Sequence, residues 1–417
     1  ETMPEDSETI QRYLDFLLTC LDKEMGSSGE DGRTKERIYF AALPIEEKLV
    51  MACPEPENRR SLSIMHSRLG YIYLNREEEE EYRKALPHFQ ETLRISQELE
   101  REGATPRAKQ DLSIDYRMLG KIYLKIGGEQ NHRLVVQCYE ESIRIGEEVV
   151  AECPGTENQK SLGHSYEGME KLLRRDGEKE KALAYCLKCI AVREAVVKED
   201  SGIVSRRALC YAYDDAAYIY RTYHDQDNLR NALELFGKEA VLWEGIVREE
   251  RSLSNLTWLC YAYADMGDMY HELDEETDRE KMLERYEKAI PLLEELQESG
   301  RDVREKLVAS YKYASVCANN LGGASRLAKS REWGRRALAL YEERAREEDS
   351  VETYQQWAEM LFGYYKYVSI KEGGRNYLEQ LLKVEELLYE RTGEKEYKKN
   401  IKQVKLLLKM EKLAGKL

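Results

Sequence analysis

Hydrophobic and polar residues follow a helical period along this chain, and the whole pattern returns about every 50 residues. Residues 61–73 read SLSIMHSRLGYIY, and residues 111–123, 50 positions later, read DLSIDYRMLGKIY. A large apolar anchor recurs at spacings of 50, 50, 47, 50, 48 and 50 residues, at Leu62, Leu112, Leu162, Leu209, Leu259, Leu307 and Trp357. Such self-similarity predicts a stack of equivalent units that bury their apolar faces against one another.

Each unit is predicted to be helix, turn, helix. In the first half a small residue, such as Gly70, follows the anchor and precedes a large residue, which indicates a close helix crossing. In the second half Ala85, Phe89 and Thr92 follow i, i+4, i+7 spacing and share one helical face. Polar or glycine connectors such as Gly127-Gly128 separate the halves. We therefore expect an all-α fold, an α-solenoid of antiparallel helix pairs.

The two ends differ from the repeats between them. Residues 1–57 are predicted to be a degenerate N-terminal capping repeat, because Tyr39 precedes Phe89 by 50 positions and Cys20 falls where Gly70 stands. Residues 58–392 hold the seven repeats, and 393–417 are predicted to be a C-terminal capping helix. That helix has eight lysines against three glutamates and an apolar stripe beginning at Tyr397. A capping helix should turn a polar face outward. Its alternative role is binding an acidic partner or a membrane surface.

Composition narrows the class of function. The chain has 35% charged residues, 8 prolines and a net charge of −15, which disfavours nucleic acid and anionic membranes as partners. No run of 18 apolar residues occurs, so no transmembrane segment is expected. The nine cysteines are odd in number and mostly at apolar positions, which indicates reduced thiols and a cytoplasmic protein. The sequence begins at Glu1 rather than at Met, so a targeting segment before Glu1 is an alternative that the sequence leaves undecided.

Little in the sequence indicates chemistry. Cys186 and Cys189 form a CxxC pair at core positions of a helix without a second pair nearby, so we interpret them as packing residues. The six histidines lack metal-binding spacing, and the glycine-rich phosphate loops and nucleophile turns of common enzymes are absent. We therefore expect no enzyme activity, no cofactor and no metal. The run Glu77 to Glu81 is interpreted as a solvated turn.

The order Leu69-Gly70, Tyr73, Ala85, Phe89 resembles the tetratricopeptide repeat family over about residues 58–392. The period here is longer than the usual length of about 34 residues, and the proline that closes the second helix in that family is absent. About 16 extra residues should lengthen each helix by about two turns. Long-period arrays of this kind resemble those joined, in many bacterial proteins, to signalling or defence modules. The resemblance implies a right-handed superhelix whose first helices line a concave groove.

The same resemblance implies which residues line that groove. They are Ser67, Tyr71, Arg117, Lys121, Glu167, Lys171, Arg174, Asp214, Tyr218, Arg221, Asp268, His271, Lys312, Asn319, Phe362 and Lys366. Many of them are basic although the chain is acidic, which favours pairing with carboxylates of an acidic protein segment.

The predicted function is that of a non-catalytic scaffold binding a protein or peptide in this groove. One alternative is the sensor or regulatory arm of a larger bacterial signalling or defence protein, with an effector domain before Glu1. Another is a receptor for a small molecule or signal peptide, which an apolar pocket inside the coil would favour.

Overall fold

The computed structural model describes residues 32–103, 105–274, 276–367 and 374–414, and these ranges contain sixteen α-helices, one 3-10 turn and no strand. In chain order the helices are α1 (Gly32–Ala52), α2 (Pro56–Leu74), α3 (Glu79–Glu102), α4 (Pro106–Ile126), α5 (Glu129–Glu152), α6 (Thr156–Arg175), α7 (Lys179–Glu199), α8 (Ile203–Arg221), α9 (Gln226–Glu249), α10 (Leu253–Leu273), α11 (Arg279–Glu298), α12 (Arg304–Leu321), α13 (Ala324–Glu348), α14 (Val351–Tyr367), α15 (Gly374–Thr392) and α16 (Lys395–Ala414). Their lengths, from 17 to 25 residues, suit a long-period repeat.

The helices form two compact units that divide between Ala212 and Tyr213, inside α8. Consecutive helices pack on one another from α1 to α7 in the first unit and from α9 to α16 in the second. Because short connectors reverse the chain between neighbours, consecutive helices are antiparallel. The predicted all-α solenoid of helix pairs is confirmed. From α2 to α15, even-numbered helices are the first of each pair and odd-numbered helices are the second.

Local sequence signals explain where many helices begin. Pro56 and Pro106 stand at the first positions of α2 and α4, where the missing N–H costs nothing. The side chains of Asp225 and Ser252 cap α9 and α10 by accepting hydrogen bonds from backbone N–H groups. Between α4 and α5, Gly127 and Gly128 have φ of 73° and 92°, which glycine adopts without strain.

Within a pair, the small residue of the first helix receives a ring from the second. An ideal Cβ on Gly70 would lie 2.5 Å from Phe89 Cε2, and one on Gly267 would lie 2.7 Å from Tyr286 Cζ. Phe89 and Tyr286 are both fully buried. The close crossing predicted from the repeat is therefore confirmed, and the group that fills it is an aromatic ring.

A second recurring contact joins three of the first helices to the helix before each of them. Tyr166 Oη donates to Glu147 Oε1 at 2.7 Å, and the tyrosines at the equivalent repeat position, Tyr263 and Tyr311, donate to Glu244 and Glu294. The sequence analysis did not identify these tyrosines or their acceptors, which lie on the previous helix.

Two sequence interpretations need correction. Glu81 is not a solvated turn residue, because it is buried at the start of α3 and its carboxylate binds Arg76 and Lys84. The outer face of α16 is not uniformly polar, because Leu406, Met410 and Leu413 are each more than half exposed. Cys186 and Cys189 are buried, as core packing requires. Cys20 lies outside the described residues. No helix among the described residues is long and apolar enough to cross a membrane.

Removing residues 394–417 should lower the melting temperature and promote aggregation. Tyr397 and Val404 of α16 are buried, and Asn400 Nδ2 donates to the Glu385 carboxylate on α15 at 3.2 Å. Deletion would expose the apolar face of α15 that these residues cover. Differential scanning calorimetry of the truncated chain checks this, with the exposed Lys402→Gln substitution as control. An unchanged melting temperature would contradict a packing role for α16.

Candidate functional site

Five predicted groove residues of the first unit come together on α2, α4 and α6. Tyr71 Oη donates to Met118 Sδ at 3.1 Å, which joins α2 to α4. On α4 and α6, Arg117 lies within electrostatic range of Glu167, and Lys121 lies within range of Lys171. We call this surface, made by Tyr71, Arg117, Lys121, Glu167 and Lys171, the basic face of the first unit.

The carboxylate of Glu167 forms ion pairs with cations of the protein itself. Lys171 Nζ and Arg193 Nη2 each lie 2.5 Å from one of its oxygens, and His164 Nδ1 lies 3.6 Å away. Burial raises the pKa of Glu167, but the hydrogen bond from His164 and the charges of Arg193 and Lys171 outweigh it and hold the pKa well below the ordinary value. Glu167 is therefore ionised and neutralised within the protein.

Among the residues that the structure describes, neither Arg117 nor Lys121 forms an ion pair with a carboxylate. In the described part of the chain, the half-buried Arg117 makes one side-chain hydrogen bond, from Nη1 to Met118 Sδ at 3.9 Å, and its Nε is buried without a hydrogen-bond partner. Burial lowers the pKa of Arg117, and partial burial together with the charges of Arg117, Lys125 and Lys171 lowers that of Lys121. Both remain cations at neutral pH. Glu167 is the carboxylate whose charge reaches both side chains, and it is already bound to Lys171 and Arg193.

Tyr71, the aromatic residue beside these cations, packs on a buried phenylalanine, and the second unit contains an equivalent pair. The Tyr71 ring meets Phe89 edge-on at 5.5 Å between centroids, and the Tyr218 ring meets Phe236 in the same way at 5.6 Å. Both tyrosines are 37% exposed. Each therefore offers a rigid apolar surface whose orientation is fixed from below.

In the second unit two of the predicted groove residues, Tyr218 and Arg221, belong to an internal network. Arg221 Nε donates to Glu272 Oε1 at 2.8 Å, and Tyr218 Oη donates to Asp265 Oδ2 at 3.1 Å. Lys306 Nζ lies 2.6 Å from Asp265 Oδ1. These contacts link α8, α10 and α12. Their charges are satisfied within the unit, so this surface is less suited to an acidic ligand than the basic face.

The remaining predicted residues are scattered. Arg174 Nε lies 2.9 Å from Glu170 Oε1. Burial of Glu239 is the main cause of its raised pKa, and the negative charge of Asp214 raises that pKa further. Lys366 Nζ lies 4.3 Å from the centroid of the exposed Phe362 ring. Half-buried Asn319 lies near the end of α12, while Lys312 lines a cleft described below.

One pair of histidines, of which His66 is buried and His88 is half-buried, escaped the sequence analysis. His66 Nδ1 and His88 Nδ1 are 3.0 Å apart, and burial together with the charge of His88 lowers the pKa of His66 to about 4. The two histidines are 22 residues apart, so helical spacing alone could not join them. In the part of the chain that the structure describes, no group of His, Cys, Asp or Glu could hold a metal ion. The absence of a cofactor stays a prediction.

Comparison with known proteins identifies the fold. No family model and no curated protein matches the chain. The nuclear import adaptor Nro1 from S. pombe is similar in structure, with a TM-score of 0.51 and 14% sequence identity over 75% of this chain and 99% of that chain. A signal transduction ATPase from Pyrococcus horikoshii with a tetratricopeptide repeat sensor gives a TM-score of 0.45 at 12% identity, over 100% of this chain and 55% of that chain. At such identity the likeness to Nro1 concerns the fold alone.

Proposed function

We propose that this chain is a non-catalytic interaction array whose first unit binds an acidic segment of a partner protein or peptide. The observation that carries the proposal is the pair Arg117 and Lys121, two cations that form no ion pair with any described carboxylate, on a chain of net charge −15. Elsewhere on the described first-helix surfaces, arginines such as Arg174 and Arg221 have internal acidic partners. A carboxylate from outside would supply the missing counter-charge.

The energetics favour such a ligand. Charge-assisted hydrogen bonds contribute about 1.5 to 3 kcal/mol each when the alternative is an unsatisfied group. Arg117 is half-buried and its guanidinium is planar, so it loses less side-chain entropy on binding than a fully exposed, flexible cation would. Glu167 does not repel the ligand strongly, because Lys171 and Arg193 neutralise it. The exposed part of Tyr71 adds apolar contact beside the charges.

The array is proposed to be of the tetratricopeptide type, on the repeat order seen in the sequence. Residues 58–392 would then be the repeats and residues 1–57 and 393–417 their caps. An effector domain before Glu1 stays a prediction, which the upstream reading frame tests.

Peptide selection tests the proposed function directly, because it requires no identified partner. Random ten-residue peptides displayed on phage are selected on the parent chain, on Lys121→Glu and on Lys179→Glu. Lys179 is exposed at the start of α7, so its substitution makes the same charge change away from the basic face. We expect Asp and Glu to be enriched on the parent and on Lys179→Glu, and the enrichment to be lost on Lys121→Glu. Equal enrichment on all three, or none on the parent, would contradict the proposal.

A further inference from the structure

A cleft of about 880 Å³ opens in the second unit. It lies between α12 and α14, which form its walls, with α13 as its floor. Small-molecule sites in proteins typically measure roughly 300 to 1,000 Å³. The cleft is therefore large enough for a ligand of drug-like size.

The cleft lies where two first helices, α12 and α14, lack the side-chain contacts that join other first helices of this unit. Among the described residues, α8 and α10 are joined by Tyr218 and Asp265, and α10 and α12 by Lys306 and Asp265. No hydrogen bond or ion pair among those residues joins α12 to α14. Instead, Tyr364 Oη donates to the Arg331 carbonyl oxygen at 2.9 Å, which holds α14 on α13. An ideal Cβ on Gly363 would meet no atom within 4 Å, so α14 presents open space to the cleft.

The lining of the cleft is amphipathic. Val308, Val316, Leu340 and Met360 provide apolar surface. Apart from its acidic residues, four polar side chains in it have no hydrogen-bond partner among the described residues: Lys312, Tyr341, Gln297, whose Oε1 is buried, and Arg301, which is exposed. The Lys312 ammonium and the Tyr341 phenol are the donors beside the apolar lining, whereas water solvates the exposed Arg301. Burial raises the pKa of Tyr341, so its hydroxyl keeps the proton it would donate.

The acidic residues of the cleft do not supply the missing acceptor. Glu305 and Glu348 lie 3.4 Å and 2.7 Å from Arg344 nitrogen atoms. Asp302 and Glu359 are exposed, where water solvates them. The ammonium of Lys312 lies 5.5 Å from the Tyr313 ring centroid, a contact that leaves it free to bind an anion.

We propose that this cleft binds a small organic acid with an aromatic or alkyl body. Its carboxylate would accept hydrogen bonds from Lys312 Nζ and the Tyr341 hydroxyl. Its apolar body would pack against Val308, Leu340 and Met360. The site is independent of the basic face, because all its lining residues belong to the second unit.

Fluorescence titration of the full chain with 1-pyrenebutyrate tests the proposal, with 1-pyrenebutanol as the uncharged analogue. We expect saturable binding of one pyrenebutyrate per chain. Gly363→Trp should weaken it at least tenfold by filling the cleft, whereas Gly363→Ala should keep the parent affinity. Both variants should stay folded, since position 363 has room for a side chain and glycine is a poor helix former. Circular dichroism verifies this.

Two further variants identify the binding groups. Lys312→Met should weaken pyrenebutyrate about fivefold or more and leave pyrenebutanol within twofold, because the apolar volume is kept. Met410→Ser combined with Leu413→Ser removes two of the three exposed apolar side chains of α16 and should change neither affinity. The proposal is overturned if the parent binds no pyrenebutyrate, if Gly363→Trp binds like Gly363→Ala, if Lys312→Met weakens both probes equally, or if the α16 variant abolishes binding.

Discussion

Replacing Gly70 by valine should lower the free energy of unfolding by about 2 to 3 kcal/mol, as overpacking of a filled core does. The new side chain would start 2.5 Å from Phe89 Cε2, and the fully buried Phe89 ring has no free space to move into. The gain in helix propensity over glycine, less than about 1 kcal/mol, cannot offset this overlap. Urea denaturation followed by circular dichroism measures the effect.

Gly363→Val is the matched control, because it is the same substitution inside a helix at a position with no atom within 4 Å. It should leave stability unchanged or slightly raised. Combining Gly70→Val with Phe89→Ala should cost clearly less than the sum of the two single changes, since residues in direct contact are coupled. Additive costs would show that the ring and the glycine do not share one space.

Replacing Asp115 by asparagine should remove a large pH dependence of stability. Asp115 is buried between α3 and α4, where Ser96 Oγ donates to its Oδ2 at 2.6 Å. Burial raises its pKa to about 7 and outweighs the hydrogen bonds from Ser96 and Thr92. In the unfolded chain the ordinary pKa is about 3.9. Between these values the folded state holds a proton that the unfolded state has lost.

The contribution of Asp115 is therefore fully present below pH about 4 and lost as pH rises through about 7. Asparagine cannot ionise, so the stability of the parent relative to Asp115→Asn should fall by about 2 to 3 kcal/mol between pH 5 and pH 8. Urea denaturation of both proteins at the two pH values measures this fall. Asp227→Asn, at an exposed residue of α9, is the control. A constant difference between parent and Asp115→Asn would show that Asp115 is ionised in the folded state throughout.

The repeat made most of the fold predictable. The spacing of anchors located the helix pairs, and the small residue eight positions after Leu62 identified the crossing at Gly70. These features follow from packing that recurs in each unit. The exposed apolar face of α16 and the cleft beside Gly363 were not predictable from the repeat. Each is a surface that no neighbouring helix covers, and the sequence of a single helix does not show where its neighbours end.

The sequence could have distinguished paired from unpaired cations, because residues about one repeat period apart contact each other in adjacent repeats. Tyr71 and Met118, like Tyr218 and Asp265, are 47 positions apart and in contact. Arg60 and Asp111, like Arg221 and Glu272, are 51 apart and paired. The position 51 residues after Arg117 is Gly168, which has no carboxylate to offer. The sequence analysis treated all groove cations alike, whereas the structure separates the paired Arg221 from the partner-free Arg117.

The most direct test of the proposed function is a calorimetric titration of the full chain with an acidic peptide recovered by the selection. Lys121→Glu should weaken its affinity at least about tenfold, a loss of about 1.4 kcal/mol, because one counter-charge is lost and a repulsive charge is added. Lys179→Glu should bind like the parent, and the melting temperatures of all three should be similar. If Lys121→Glu binds with parental affinity, or if Lys179→Glu weakens binding as much, the basic face of the first unit is not the binding site.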